Sequence, residues 1–130
     1  MDLRDFAARY TAAWCSQNAE EVAGFYSPQG SLRVNDGPRA IGRSAIAEVA
    51  RSFMVAFPDL CVVMTEVRLE AGEPEYHWTL SGTNTGPGGT GRRVLISGFE
   101  QWSFGSDGLI ASSQGHFDAA EYSRQLEHGV

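Results

Sequence analysis

The chain has 130 residues, of which 42% are hydrophobic and 20% charged, and its formal net charge is −6. One domain of this length buries enough apolar surface to fold without disulfides or metals. The excess of acid disfavours a nucleic acid or an anionic membrane surface as partner, because both bind through Lys and Arg. No apolar run reaches the ~18 residues of a transmembrane helix. Residues 1–5 lack the basic head and apolar run of a signal peptide, so a cytoplasmic protein is expected.

The first half of the chain has helical periodicity. Apolar side chains recur every three or four residues between Leu3 and Trp14, which predicts a first helix. Asn18 and Glu21 have the spacing of a capping box and predict the start of a second, short helix. A third helix is expected to end at Pro58, because the residue before a proline disfavours helical geometry.

The second half changes to the alternation and β-branched composition of strands. The predicted strands cover residues 61–69, 75–85, 92–104 and 109–117, after a weaker one at 31–35. Asp107-Gly108 predicts a hairpin between the last two strands, and residues 119–126 are expected to form a short helical turn. Helices followed by strands indicate a single α+β domain over residues 1–130, with a curved antiparallel sheet on a helical layer.

Three motifs stand in a fixed order along this framework. They are Phe57-Pro58-Asp59-Leu60, the strand end Trp78-Thr79-Leu80-Ser81-Gly82-Thr83-Asn84-Thr85-Gly86, and Asp107-Gly108-Leu109-Ile110 followed by Gln114 and Asp118. Together with Trp14 they make nearly the whole chain resemble the SnoaL-like polyketide cyclases of the nuclear transport factor 2-like superfamily. The chain departs from the family pattern at three positions, with Asn84 in place of the usual His, Gln114 in place of Trp and Ser112 in place of Glu.

This resemblance implies a fold and a reaction. The implied fold is a cone in which a curved antiparallel sheet packs on three N-terminal helices around one hydrophobic pocket, and the implied assembly is a homodimer. The implied reaction is an intramolecular aldol condensation of a small hydrophobic or polycyclic ketone, through an Asp general acid/base and without a metal or an organic cofactor.

Asp118 is the predicted catalytic residue. Alternation places it with Ser112, Gln114 and His116 on one face of the last strand, which either faces solvent or lines a polar cavity. The family resemblance implies that Asp118 points into the pocket, where apolar surroundings would raise its pKa from about 3.9 towards the working pH. The alternative is a surface Asp that caps a helix in the tail.

Other polar residues are candidates for the same site. His116, two residues before Asp118, either donates to a substrate carbonyl and tunes the acid or is simply hydrogen-bonded. Gln101 and Gln114 are candidate orienting amides, on faces that the register would decide. Asn84 lies either at the pocket mouth or in a turn. A metal site on His116 and Asp118 has no supporting ligand spacing.

Four aromatic residues have two interpretations each, as core or as pocket wall in contact with a flat substrate. They are Tyr10, Trp14, Phe53 and Phe57.

Three other functions stay open on this fold. Epoxide hydrolysis needs an Asp-Arg-Asp arrangement, for which Arg33 is the available arginine and no partner Asp is evident. Ketosteroid-isomerase-like chemistry needs an Asp and a Tyr. A small-molecule-binding or dimerisation module needs no catalytic group.

Overall fold

The computed structural model describes residues 2–70 and 72–130 and confirms the α+β class. The elements follow in the order α1 (Leu3–Trp14), α2 (Ala19–Ala23), β1 (Tyr26–Val34), β2 (Ala40–Ile41), α3 (Arg43–Ala56), β3 (Cys61–Glu70), β4 (Glu73–Thr83), β5 (Arg93–Phe104), β6 (Ile110–Phe117) and α4 (Ala119–His128). Within the described ranges, no helix is long and apolar enough to cross a bilayer.

The strands form one six-stranded sheet in the order β2-β1-β6-β5-β4-β3. Strands β3 to β6 pair antiparallel as successive hairpins, as predicted. Strand β1 runs parallel to β6, so the sheet is mixed at this pair, where the sequence predicts an antiparallel sheet. The parallel pairing is possible because β1 and β6 are joined through all the intervening elements rather than by a tight turn.

Helix α1 forms where its apolar periodicity predicts it. The Asp2 side chain accepts a hydrogen bond from the Asp5 backbone N–H at 3.0 Å and so satisfies one of the free donors of the first turn. Phe6, Tyr10 and Trp14 are four residues apart and are buried on one face. That face packs into the core and brings two polar groups, a phenol and an indole, inside the fold.

The segment after α1 differs in part from the prediction. Asn18 caps α2 as expected, but its side-chain oxygen accepts from the Glu20 N–H, at 3.2 Å, rather than from Glu21. The next strand, β1, begins at Tyr26, well before the predicted residue 31. Its pairing with β6 shifts register between Tyr26 and Ser31, so the turn-forming residues there occupy an irregular stretch of strand.

Strands β4 and β5 pair without a shift from Glu75 and Gln101 to Thr83 and Arg93. Gly98 lies opposite Trp78 in this register. A Cβ atom at Gly98 would lie 2.6 Å from Cζ2 of Trp78, so glycine is what lets the indole ring lie against the strand.

Helix α4 is a full helix rather than the predicted short turn. Its buried Gln125 donates from Nε2 to the Leu95 carbonyl at 2.9 Å and accepts the Leu95 N–H at Oε1, at 2.7 Å. The amide thereby pairs with one residue of β5 as a neighbouring strand would. This contact fixes α4 across the sheet and brings Tyr122 to the pocket.

Candidate functional site

A pocket lies between the helices and the inner face of the sheet, with a cavity volume of about 60 Å³. Six aromatic residues line it: Trp14, Phe53, Tyr76, Trp78, Phe117 and Tyr122. Aliphatic residues of β1, β3, β4 and β5 complete most of the wall: Leu32, Val34, Val62, Leu80 and Ile96. Phe53, Trp78, Phe117 and Tyr122 are only half-buried, so they mark the side on which the pocket meets solvent.

Glu100 is the one carboxylate among the described residues that line this pocket. It lies on β5 in the alternating inward series that includes the buried Val94, Ile96 and Trp102, and it is 7% exposed. The residue opposite it on β6 is Gly115, which has no side chain to cover the carboxyl group. The strand geometry therefore presents one acidic group to an apolar space.

Neutral donors converge on this carboxyl group from four side chains. Oε1 accepts from Ser113 Oγ at 2.7 Å, from Trp102 Nε1 at 2.9 Å and from the Tyr10 hydroxyl at 3.0 Å. The Tyr26 hydroxyl lies 3.5 Å from the same oxygen and 2.9 Å from the Tyr10 hydroxyl. These contacts fix the position of Oε1.

The second oxygen, Oε2, accepts fewer hydrogen bonds than Oε1. The hydrogen bond found for it comes from the Tyr10 hydroxyl at 3.2 Å, and that hydroxyl is shared with Oε1. A carboxylate oxygen has lone pairs for more than one donor. Oε2 is therefore the atom of Glu100 with capacity left for a proton or a ligand.

Burial raises the pKa of Glu100 above its ordinary value, because removal from water disfavours the charged form. Hydrogen bonds from Trp102, Ser113, Tyr10 and Tyr26 act in the opposite direction without cancelling the effect. Burial, with the nearby Glu100 charge as the next cause, also raises the pKa of Tyr10 and of Tyr26, so both phenols stay neutral donors. The result is a carboxyl group whose proton equilibrium is moved towards neutral pH.

Asp118 does not occupy the predicted place. It is exposed, and it is the N-cap of α4, where its Oδ1 accepts the Glu121 N–H at 3.0 Å. The expectation that its side chain points into the pocket is wrong, and the helix-capping alternative is the one observed. The physical reason is that β6 ends at Phe117, so Asp118 follows the turn into the helix rather than the alternation of the strand.

The register of β6 explains why the predicted polar stripe is on the other face. Pairing with β5 shifts between Ser103 and Phe104, which places Ile110 and Ser113, three residues apart, both in the core. A strand irregularity of this kind reverses the inward and outward positions that follow it. Gly115 and Phe117 consequently line the pocket.

The remaining polar candidates of the closing strands do not line the pocket. His116 and Gln101 pair across β5 and β6 on the outer face, with His116 Nε2 and Gln101 Oε1 3.0 Å apart. Gln114 donates from Nε2 to the backbone carbonyls of Asn35 and Gly115 at 2.9 and 3.0 Å. Because their strand positions face away from Glu100, the predicted roles of these three residues towards a substrate lose their structural basis.

Of the two positions predicted for Asn84, the structure shows the one in a turn. It donates from Nδ2 to the Ala56 carbonyl at 3.1 Å and accepts the Thr90 N–H at 2.8 Å, which closes the loop between β4 and β5 against the end of α3. Phe57 is fully buried outside the pocket wall and contacts Tyr122 in the core. Neither residue lines the cavity.

The other three aromatic candidates are close to the carboxyl group or its pocket. Trp14 and Phe53 form part of the wall, with ring centroids 6.1 Å apart, and their contact with a substrate stays a prediction. Tyr10 lies behind the wall as a donor to Glu100. The buried Trp14 indole N–H has no hydrogen-bond partner among the described residues, although it is near enough to the Tyr10 hydroxyl to lower the pKa of that group against the effect of burial.

Glu100 is not among the predicted site residues, because the polar stripe that the sequence predicts lies on β6. The pattern that indicates Glu100 is in β5, where this single acid lies on the same face of the strand as the buried Ile96 and Trp102. A carboxylate is rarely buried among apolar residues, because removing its charge from water is costly. A buried one is therefore a candidate functional residue. Over the described ranges, no group of three or more His, Cys, Asp or Glu side chains is arranged to hold a metal ion.

Comparisons with known proteins agree with this architecture. The model of the family described as SnoaL-like polyketide cyclase matches residues 4–126. No curated protein matches the chain significantly.

Solved structures share the fold at low sequence identity. A protein with a ketosteroid isomerase-like fold from Catenulispora acidiphila DSM 44928, solved with trimethylamine, has a TM-score of 0.81 at 14% identity and covers 94% of this chain and 92% of its own. A putative SnoaL-like polyketide cyclase from Jannaschia sp. CCS1 has a TM-score of 0.76 at 14% identity, covering 97% and 94%. AclR, a putative hydroxylase from Streptomyces galilaeus, has a TM-score of 0.77 at 18% identity, covering 96% and 80%.

Proposed function

Because the chain belongs to the SnoaL-like polyketide cyclase family, we propose that it is an acid–base enzyme for a small hydrophobic ketone, with Glu100 as the group that exchanges protons with the substrate. The observation that supports this most is one carboxyl group held in an otherwise apolar pocket, with its pKa raised by burial. A base whose pKa approaches the working pH is the more effective proton acceptor and donor. Oε2, with one shared hydrogen bond, is the oxygen available for that exchange.

The proposed reaction is an intramolecular aldol ring closure. The Glu100 carboxylate removes a proton from the carbon beside a carbonyl group and becomes a carboxylic acid. The resulting enolate carbon bonds to a second carbonyl carbon of the same molecule, whose π electrons become an alkoxide. The alkoxide takes the proton back from Glu100, so the product is a ring bearing a hydroxyl group and the enzyme returns to its starting state.

The size of the cavity favours a small hydrophobic ketone over a polycyclic one. Its volume of about 60 Å³ is well below the roughly 300–1,000 Å³ of pockets that enclose drug-sized ligands. A small ketone, or the reacting end of a larger one that extends past Phe53 and Tyr122, fits this space better than a polycycle enclosed whole.

The rival reactions differ in the support they receive. Epoxide hydrolysis by an Asp-Arg-Asp arrangement has none, since no arginine lines the described pocket and Arg33 donates from Nε to the Gly37 carbonyl at 2.9 Å. A ketosteroid-isomerase-like double-bond shift would begin with the same proton removal by Glu100. Analysis of the product, a new ring or a moved double bond, separates these two.

The proposal is tested by proton exchange at the carbon beside a ketone. The protein is incubated in D₂O with a panel of cyclic ketones, from cyclopentanone to 1-tetralone, and loss of the α-proton signal is followed by NMR. We expect saturable exchange above the buffer rate for at least one member. A rate equal to that of buffer for every ketone, with binding of one of them shown separately, would make the pocket a binding site without turnover.

We also propose that the outer face of the sheet forms a homodimer. His77, Phe99 and His116 stack across three strands there, with successive ring centroids 5.1 and 4.7 Å apart. Val63 and Leu95 add exposed apolar side chains, 54% and 48% exposed. An apolar surface of this kind is better explained by a partner than by water.

Sedimentation analysis tests the dimer. The wild type is expected to sediment as a dimer, and Phe99→Glu as a monomer, because the new charge would be desolvated at the centre of the interface. Ile41→Glu is the matched control, since Ile41 is 64% exposed on edge strand β2. A monomeric wild type, or dissociation by both substitutions equally, contradicts the proposal.

A further inference from the structure

The pocket combines two features that the proposed reaction does not require together. Six aromatic residues line it, and Glu100 is the acid among its described lining residues. A neutral ketone needs the carboxyl group but gains little from so many π systems. An organic cation gains from both, because aromatic faces and a carboxylate attract positive charge in a dry site.

Among the residues that the structure describes, the carboxyl group also has no cationic partner. The groups that donate to it are phenol, indole and hydroxyl groups, and neither Arg nor His lines the described part of the pocket. A buried carboxylate without an opposite charge is costly, so it either keeps its proton or takes a counter-charge from outside. Oε2, with its single shared hydrogen bond, has room for an N–H donor.

We propose that this pocket binds small alkylammonium ions, with the ammonium N–H donated to Oε2 of Glu100 and the alkyl groups packed against the aromatic wall. Trp78 and Tyr76, on β4, and Phe117, on β6, flank the strand that carries Glu100. The modest cavity volume, about 60 Å³, fits a cation with short alkyl groups. This inference concerns binding and stands whether or not the site turns over a ketone.

The test compares a cation with a neutral molecule of similar shape. Trimethylammonium chloride and tert-butanol are titrated separately into the full chain by calorimetry, at a pH where the amine is protonated. The cation is expected to bind at least about tenfold more tightly, which is what one charge-assisted contact plus cation–π attraction supplies. Equal affinity for the two molecules in the wild type would overturn the proposal without the need for any variant.

Two substitutions locate the interaction. Glu100→Gln keeps the size of the side chain and should lower the affinity for trimethylammonium at least about tenfold, with little effect on tert-butanol. Trp78→Leu keeps an apolar wall but removes a ring, and should weaken the cation more than the alcohol. An unchanged preference for the cation in Glu100→Gln would overturn the assignment of the site, and circular dichroism confirms that each variant is folded.

The outcomes separate this inference from the proposed enzymatic function. Ammonium binding that depends on Glu100, together with no ketone exchange, supports the inference and contradicts the enzyme. Ketone exchange that depends on Glu100, with no preference for the cation, supports the enzyme and contradicts the inference.

Discussion

Replacing Glu100 by Gln should reduce the exchange of ketone α-protons by about 10²–10⁴-fold, the usual contribution of one positioned acid–base group. The substitution keeps the side-chain length and an acceptor oxygen for Trp102, Ser113 and Tyr10, so the pocket should keep its shape. It removes the one carboxyl group in the described lining, and with it the proposed proton acceptor and donor. The rate is measured by NMR with whichever cyclic ketone the wild type exchanges fastest.

Asp118→Asn is the control for this prediction. Asn is as good an N-cap as Asp, so the bond to the Glu121 N–H and the start of α4 should persist. Because Asp118 is exposed at the helix terminus, its carboxylate should contribute nothing to exchange, and the rate should equal that of the wild type. Loss of activity in Asp118→Asn with full activity in Glu100→Gln would return the catalytic role to the residue predicted from the sequence.

The second large effect concerns stability and pH. Because burial raises the pKa of Glu100 in the folded chain, the folded state keeps a proton at pH values where the unfolded chain has lost it. The associated stability is fully present below the ordinary value of 4.5 and is lost as the pH rises through the raised value. Each pH unit by which the two values differ is worth about 1.4 kcal/mol in the free energy of unfolding.

Urea unfolding at pH steps from the ordinary Glu value upwards measures this effect. The free energy of unfolding of the wild type should fall relative to that of Glu100→Gln as pH increases, and the difference should level off above the raised pKa. Subtracting the variant removes the contributions of acids with lowered pKa values, such as Glu121, whose pKa lies at about 2 beside Arg124. A difference that is flat with pH, or that grows in favour of the wild type, contradicts a raised pKa for Glu100.

Much of the fold could be predicted because its signals are local. The stripe from Leu3 to Trp14 specifies α1, and the Asp107-Gly108 turn joins β5 to β6 as expected. The early start of β1, its parallel pairing with β6 and the length of α4 were not predicted, because each depends on long-range contacts. Gln125, for example, fixes α4 through the backbone of Leu95, thirty positions earlier.

The pocket contains the kind of group that the sequence predicts, a carboxyl group, but on a different residue. The family resemblance implied a carboxyl group in an apolar pocket, and Trp14 and Phe53, two of the candidate wall residues, do line the pocket. The expected inward direction of Asp118 is wrong because the prediction extended the alternation of β6 through a register shift and past the end of the strand at Phe117. Glu100 could have been identified from a different pattern, namely a single acid on the same face of a strand as buried apolar residues.

The central claim is that Glu100 is a buried acid of raised pKa facing an apolar pocket. The most direct test is a ¹³C NMR titration of the side-chain carboxyl carbons of the glutamates, with the Glu100 resonance assigned by its absence in Glu100→Gln. We expect an inflection for this carbon above the ordinary value of 4.5. An inflection at or below that value would contradict it, because a carboxyl group that ionises as readily as one in water is not held in the environment described.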